Sequence, residues 1–66
     1  MQVILNGTPE QVAADATVQT LLETKNLVGM RVAVEHNGEI IPRSQYACTP
    51  LHENDQLEIV TAVGGG

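Results

Sequence analysis

Two Asn-Gly dipeptides, Asn6-Gly7 and Asn37-Gly38, constrain the fold of this chain more than any other feature. Each follows a short run in which apolar and polar residues alternate. Asn-Gly next to such a run is the strongest short-range signal for a two-residue β-hairpin turn. The sequence therefore predicts two hairpins, one at the start of the chain and one in its middle.

The first hairpin is predicted to pair residues 1–5 with residues 9–13, and the second to pair residues 31–35 with residues 39–41. Pro9 stands at the start of its strand, where a residue without an N–H is tolerated. Pro42 directly follows the last strand of the second hairpin and ends it, because proline cannot donate to a ladder.

A short helix is predicted between the hairpins. Thr17 is the expected N-cap, because its hydroxyl can accept from a free backbone N–H of the first turn. Asn26 and Gly29 mark the stop, and Lys25 is expected in the last turn, where a cation favours the helix dipole. The apolar stripe has the i, i+3, i+4 spacing of a helix and consists of Val18, Leu21 and Leu22.

The last part of the chain completes a β-grasp, an α+β fold. Residues 43–51 are predicted to be irregular with a helical turn near residues 44–46, residues 53–55 to form a turn, and residues 56–63 the longest strand. Placed parallel to the first strand at the centre, this strand completes a mixed sheet of four to five strands with one helix on one face. Alternation and helical spacing predict a core of Val3, Leu5, Val18, Leu21, Leu22, Val32, Val34, Leu57 and Ile59.

Size and composition limit what such a domain can do. The 66 residues fit one domain with an aliphatic core, since Tyr46 is the only aromatic residue, and leave no room for a cofactor pocket. Three basic residues against eight acidic ones give a net charge of −5, which argues against nucleic-acid binding. One cysteine, Cys48, allows no internal disulfide, and no apolar run has membrane-spanning length, so we expect a cytoplasmic protein with no membrane partner.

Independent catalysis is not expected from these residues. His36 and His52 lack metal-ligand spacing, so we expect surface or edge histidines and no metal site. A Ser44–His52–acid arrangement lacks an oxyanion donor set, and Cys48 has no neighbouring base. The glycines form no phosphate-binding motif.

The chain ends in Val63-Gly64-Gly65-Gly66, which suits no ordinary strand. A frayed terminus is one explanation. The other is a flexible tail, residues 64–66 beyond a domain of residues 1–63, that enters the narrow active site of another protein. There glycine permits close approach, and the α-carboxylate of Gly66 is the reacting group.

Two segments resemble the ThiS family of thiamine-pathway sulfur carriers. They are residues 34–43 with the following Tyr46, and residues 54–60 leading to the glycines. Family members often carry Asp-Gly-Asp at the last turn, where this chain has Glu53-Asn54-Asp55. Asn54 also tolerates a positive φ, so we expect this turn to be retained.

The resemblance implies a ubiquitin-like β-grasp that carries sulfur and is not itself an enzyme. It implies that Gly66 is adenylated by a ThiF-type enzyme with ATP and converted to a thiocarboxylate, with Gly64 and Gly65 as small channel residues. The implied partners are this adenylyltransferase, a sulfur donor such as a cysteine desulfurase, and the thiazole synthase ThiG. No bound cofactor is implied.

Docking needs more than the tail, because ordering three residues costs roughly 3–6 kcal/mol and glycines offer little contact. The outward side chains of Val60 and Ala62, with Ala33, are the predicted apolar docking surface. Three other functions stay open: a sulfur carrier for molybdopterin or another sulfur pathway, a ubiquitin-like protein modifier, and a passive interaction module.

Overall fold

A computed structural model describes residues 1–61. Both predicted hairpins form. Strand β1 (Gln2–Leu5) pairs antiparallel with β2 (Thr8–Gln11), and β3 (Val32–His36) pairs antiparallel with β4 (Glu39–Ile41). Each turn has two central residues with positive φ, 50° and 82° at Asn6-Gly7 and 51° and 88° at Asn37-Gly38. This is the type I′ geometry that Asn-Gly favours.

Strand β2 begins one residue earlier than predicted and ends two residues earlier. The two-residue turn places Thr8 directly opposite Leu5, so pairing begins immediately after Gly7. Pro9 then lies inside β2, opposite Ile4. Because β2 is at the edge of the sheet, the missing N–H of proline is tolerated there.

Helix α1 (Val18–Thr24) is capped at both ends by the residues that directly flank it in the sequence. Thr17 is the N-cap, as predicted, and forms a capping box with Thr20. At the other end Asn26 has φ 59°, and the Leu27 N–H donates to the Leu22 carbonyl at 2.8 Å, as in a Schellman motif. The prediction for Lys25 was wrong: it is the C-cap residue, outside the last turn, and its ammonium pairs with Glu10 at 2.8 Å.

The sheet has five strands in the order β2-β1-β5-β3-β4, where β5 spans Gln56–Thr61. Strand β5 is central and parallel to β1, as predicted, and it also pairs antiparallel with β3. The predicted continuation of this strand through residues 62 and 63, and the boundary with the glycine tail, lie outside the described residues. The result is the predicted β-grasp, with a mixed sheet and one α-helix.

Most of the predicted core is buried. Leu5 and Val32 are the exceptions, since both are only partly buried and pack against its rim. Within residues 1–61, three further hydrophobic residues are buried that were not predicted, namely Ala16, Tyr46 and Leu51. They are buried because a 3-10 helix (Arg43–Cys48) contacts α1, and the segment after it pairs with the segment before α1, with Leu51 N–H donating to the Ala16 carbonyl at 2.9 Å.

Candidate functional site on the outer sheet face

The sheet face that points away from α1 carries two of the three predicted docking residues. Ala33 on β3 and Val60 on β5 lie directly opposite each other in the antiparallel register, and both side chains are exposed, Val60 to 65%. They face outward because their neighbours Val34 and Ile59 alternate into the core. The third predicted residue, Ala62, lies outside the described residues, as do Gly64, Gly65 and Gly66.

Ile40 extends this apolar surface and was missed from the sequence. It is 65% exposed on β4 and lies opposite Glu35, on the same face as Ala33. The signal was present, because two consecutive isoleucines in a strand must point to opposite faces. Ile41 points toward the core, so Ile40 points outward. We call Ala33, Ile40 and Val60 the apolar docking surface.

The N-terminal end of β5 is fixed by a buried carboxylate. Asp55 is 8% exposed and accepts hydrogen bonds from His36 Nε2 at 2.7 Å, Asn37 Nδ2 at 3.1 Å and the backbone N–H of His52 at 2.8 Å. These contacts join the turn before β5 to the turn between β3 and β4. His36 was predicted to be a surface or edge histidine, which is wrong: its side chain is only 18% exposed, because it packs against Asp55.

Two opposing effects set the pKa of Asp55. Burial raises the pKa, but the side-chain hydrogen bonds from His36 and Asn37 and the backbone hydrogen bond from His52 outweigh it, so the pKa is held below its ordinary value of 3.8. An ionised carboxylate can only accept, so His36 Nε2 carries the proton in this contact. Asp55 is therefore a structural anchor for β5.

A second polar contact fixes the middle of β5. Beyond the end of β1, the side-chain amide of Asn6 takes the place of a strand partner. Its Oδ1 accepts from the Ile59 N–H at 2.9 Å, and its Nδ2 donates to the Ile59 carbonyl at 3.2 Å. Asn37 acts similarly at the other hairpin, accepting from the Gln56 N–H at 2.8 Å. Both hairpin turns thus hold the strand that leads into the glycine tail.

The other sequence candidates are not brought together. Cys48 is exposed at the end of the 3-10 helix, and His52 is exposed in a loop with its Nδ1 3.8 Å from Asp55. No hydrogen bond joins Ser44 to His52 within the described residues. Among residues 1–61 there is also no group of three His, Cys, Asp or Glu side chains able to hold a metal ion. No helix in this range is long and apolar enough to cross a membrane.

Comparison with known proteins identifies relatives over the whole chain. The sequence model of the ThiS family matches residues 3–66. The sulfur carrier protein ThiS of Escherichia coli is 33% identical over 66 residues, which cover both chains completely. The crystal structure of the thiamine biosynthesis protein ThiS of Geobacter metallireducens has a TM-score of 0.84 and 32% identity, with complete coverage of both chains.

A relative of a different kind is a thiazole synthase of Paramagnetospirillum magneticum. It is 41% identical over all 66 residues of this chain, which spans only 20% of its length. The family match, the structural similarity and the β-grasp topology agree with one another. This chain belongs to the ThiS family, the family of the sulfur carriers of thiamine biosynthesis.

Proposed function

We propose that this protein carries sulfur as a thiocarboxylate on Gly66 and donates it for thiazole formation in thiamine biosynthesis. The observation that carries the proposal is the family match, which extends through the three glycines to residue 66. The end-to-end alignment with the Escherichia coli sulfur carrier supports Gly66 as the reacting residue. Gly64 and Gly65 then serve as residues small enough to pass through an active-site channel.

Activation of the carboxylate is the first step of the proposed chemistry. A C-terminal carboxylate has a pKa near 3.5 and is ionised at pH 7, which makes it a poor electrophile. Attack of one carboxylate oxygen on the α-phosphorus of ATP releases pyrophosphate and gives an acyl adenylate. A sulfur atom at the oxidation level of sulfide then attacks the carbonyl carbon. The bond between this carbon and the AMP oxygen breaks, and AMP leaves with the electron pair of that bond. If the donor is a persulfide, a thiol must also reduce the S–S bond of the acyl disulfide.

We propose three partners for this chemistry: a ThiF-type adenylyltransferase that uses ATP, a sulfur donor such as a cysteine desulfurase, and the thiazole synthase ThiG. The thiazole synthase that contains a region similar to this whole chain supports the last of them. The chain itself acts as a co-substrate in this proposal and holds no cofactor.

The apolar docking surface explains how partners bind a tail that offers little contact. Ordering Gly64, Gly65 and Gly66 costs roughly 3–6 kcal/mol of conformational entropy. Glycine has only a hydrogen atom as its side chain, so contacts of the tail cannot offset this cost. Ala33, Ile40 and Val60 provide exposed apolar area beside the end of β5. Ala62, two residues beyond Val60, is proposed to extend the contact.

Intact mass spectrometry tests the proposal directly. The chain is incubated with ATP, the adenylyltransferase of the same organism and a sulfur donor, and we expect a mass gain equal to replacing one oxygen by sulfur. The controls are a chain that lacks Gly66 and a reaction without ATP. In neither control should the mass of the chain increase. An unchanged mass of the full chain, or isopeptide conjugates to other proteins in cell extract, would contradict a sulfur-carrier function.

A further inference from the structure

Two glutamates lie directly opposite each other beside the apolar docking surface. Glu35 on β3 and Glu58 on β5 are register partners. They lie two residues along the strands from the Ala33–Val60 pair, on the same outer face. Ile40 flanks Glu35 on the other side. The outer face therefore combines an apolar pair with a pair of carboxylates, all within three adjacent strands.

This arrangement costs stability in the free domain. Like charges directly opposite each other in a sheet repel, whereas an opposite-charge pair would stabilise. Within residues 1–61, neither carboxylate has a hydrogen bond or an ion pair. On the helix side of the sheet, by contrast, Glu10 is paired with Lys25 at 2.8 Å. The free domain therefore leaves the charges of Glu35 and Glu58 without a cation.

The glutamate pair also lines a hollow in the surface. The hollow has a volume of about 340 Å³, and its other lining residues include Gln56 and the turn glycines Gly7 and Gly38. No Cβ atoms narrow its rim at these two turns. The hollow is open to solvent and has room for the end of one long side chain from another molecule.

The reach of the tail limits where a partner enzyme lies, and one relative indicates which enzyme that partner is. Gly66 is the fifth residue after Thr61, and five residues span at most about 18 Å when fully extended. An enzyme that holds the Gly66 carboxylate must therefore bring its active site within about 18 Å of Thr61, near the end of β5 that carries Val60. In one relative, a region similar to this chain is part of a thiazole synthase polypeptide.

We propose that the Glu35–Glu58 pair binds an arginine or lysine side chain of thiazole synthase, while Ala33, Ile40 and Val60 contact apolar residues around that cation. This inference rests on the proposed function, because it takes thiazole synthase to be the protein that receives the tail. A cation between the two carboxylates would replace their mutual repulsion by attraction in the complex. The acidic pair then contributes specificity to a contact that is otherwise apolar.

The test compares two doubly substituted chains with the same change in net charge. Glu35→Gln/Glu58→Gln removes the acidic pair, and Asp15→Asn/Glu23→Gln removes two exposed charges from the turn before α1 and from α1 itself. Calorimetry measures the affinity of each for the thiazole synthase of the same organism at low and high salt. Urea unfolding measures the stability of each free chain.

We expect Glu35→Gln/Glu58→Gln to weaken binding by about tenfold at low salt, with a smaller salt dependence, and to unfold at the same or a higher urea concentration. The control variant should bind within about twofold of the unsubstituted chain. Equal binding of thiazole synthase by the two variants would overturn the inference. If the unsubstituted chain itself does not bind thiazole synthase, the proposed function fails and this inference fails with it.

Discussion

Among single residues, Asp55 links parts of the chain that are distant in sequence through one side chain. Its two oxygens accept from a histidine ring, an asparagine amide and a backbone N–H, and the group is nearly inaccessible to water. Burial of a charge is unfavourable unless the charge is fully hydrogen-bonded, and here it is. The donors lie at the end of β3, in the turn after it and in the segment before β5, so one carboxylate links two separate turns.

Replacement of Asp55 by Ala should lower the free energy of unfolding by about 2–4 kcal/mol, because three donors lose a charged and largely buried acceptor at once. Urea unfolding monitored by circular dichroism measures this loss. Asp15→Ala is the matched control, since Asp15 is exposed in a turn, and it should change stability by less than about 0.5 kcal/mol. A similar small change for both variants would mean that the Asp55 contacts contribute little.

The same carboxylate predicts a pH dependence of stability. Its pKa is lower in the folded chain than its ordinary value of 3.8, so its contribution is fully present above that value. The contribution is lost as pH falls through the lower pKa of the folded state, where the native carboxylate finally takes up a proton. The stability difference between the unsubstituted chain and Asp55→Asn should therefore be constant at neutral pH and shrink below about pH 4. A difference that grows on acidification would contradict the direction of the shift.

At the level of elements, β5 organises the molecule. It pairs with both β1 and β3, and the two hairpin turns hold it through the side chains of Asn6 and Asn37. The strand is therefore anchored at Asp55, Gln56 and Ile59, just before the residues that lead to the tail. A rigid strand at this place reduces the entropy that a partner must overcome when it binds.

Asn6→Gly isolates the side-chain part of this anchor. Glycine adopts the positive φ of Asn6 without strain, so the substitution removes only the two hydrogen bonds to Ile59. We expect a loss of about 1–2 kcal/mol in the free energy of unfolding.

The control for this substitution is Asn54→Gly, at a residue with φ 66° in an exposed turn, which should change stability by less than about 0.5 kcal/mol. Amide hydrogen exchange at Ile59 should also become faster in Asn6→Gly, but not in Asn54→Gly. Equal behaviour of the two variants would show that the Asn6 amide does not anchor β5.

At the level of the whole molecule, the parts set by local chemistry could be predicted from the sequence. The Asn-Gly turns, the Thr17 cap and the alternation in β3 and β5 are each encoded within a few residues, and all are present. The central, parallel position of β5 was predicted because this arrangement lets the helix cover one face of the sheet. The retained turn at Asn54 also agrees with the prediction.

Features that depend on contacts between distant segments could not be predicted. Tyr46 and Leu51 are buried because residues 49–51 pair with the segment before α1, and no local pattern indicates that pairing. His36 is mostly enclosed because Asp55 reaches it across the sheet. Alternation correctly placed Ala33 and Val60 on the outer sheet face, but the relation of Ile40 and Glu35 to Glu58 required the strand register.

In the proposed function, the domain presents the carboxylate of Gly66 at the end of a tail that fits a narrow channel of the partner enzyme. Gly65→Ala and a chain with one residue added after Gly66 both leave the described core unchanged. The added residue moves the carboxylate by roughly 3.3–3.6 Å, although reacting atoms must approach to about 3–3.5 Å. The alanine adds a Cβ inside the proposed channel and penalises any positive φ there.

ATP–pyrophosphate exchange catalysed by the adenylyltransferase is the most direct measurement of this claim, with thermal unfolding of each variant as the check on folding. We expect both variants to lose exchange while their melting temperatures stay the same as that of the unsubstituted chain. Normal exchange by both variants would contradict it, because the reacting group would then not be the Gly66 carboxylate held in a fitted channel.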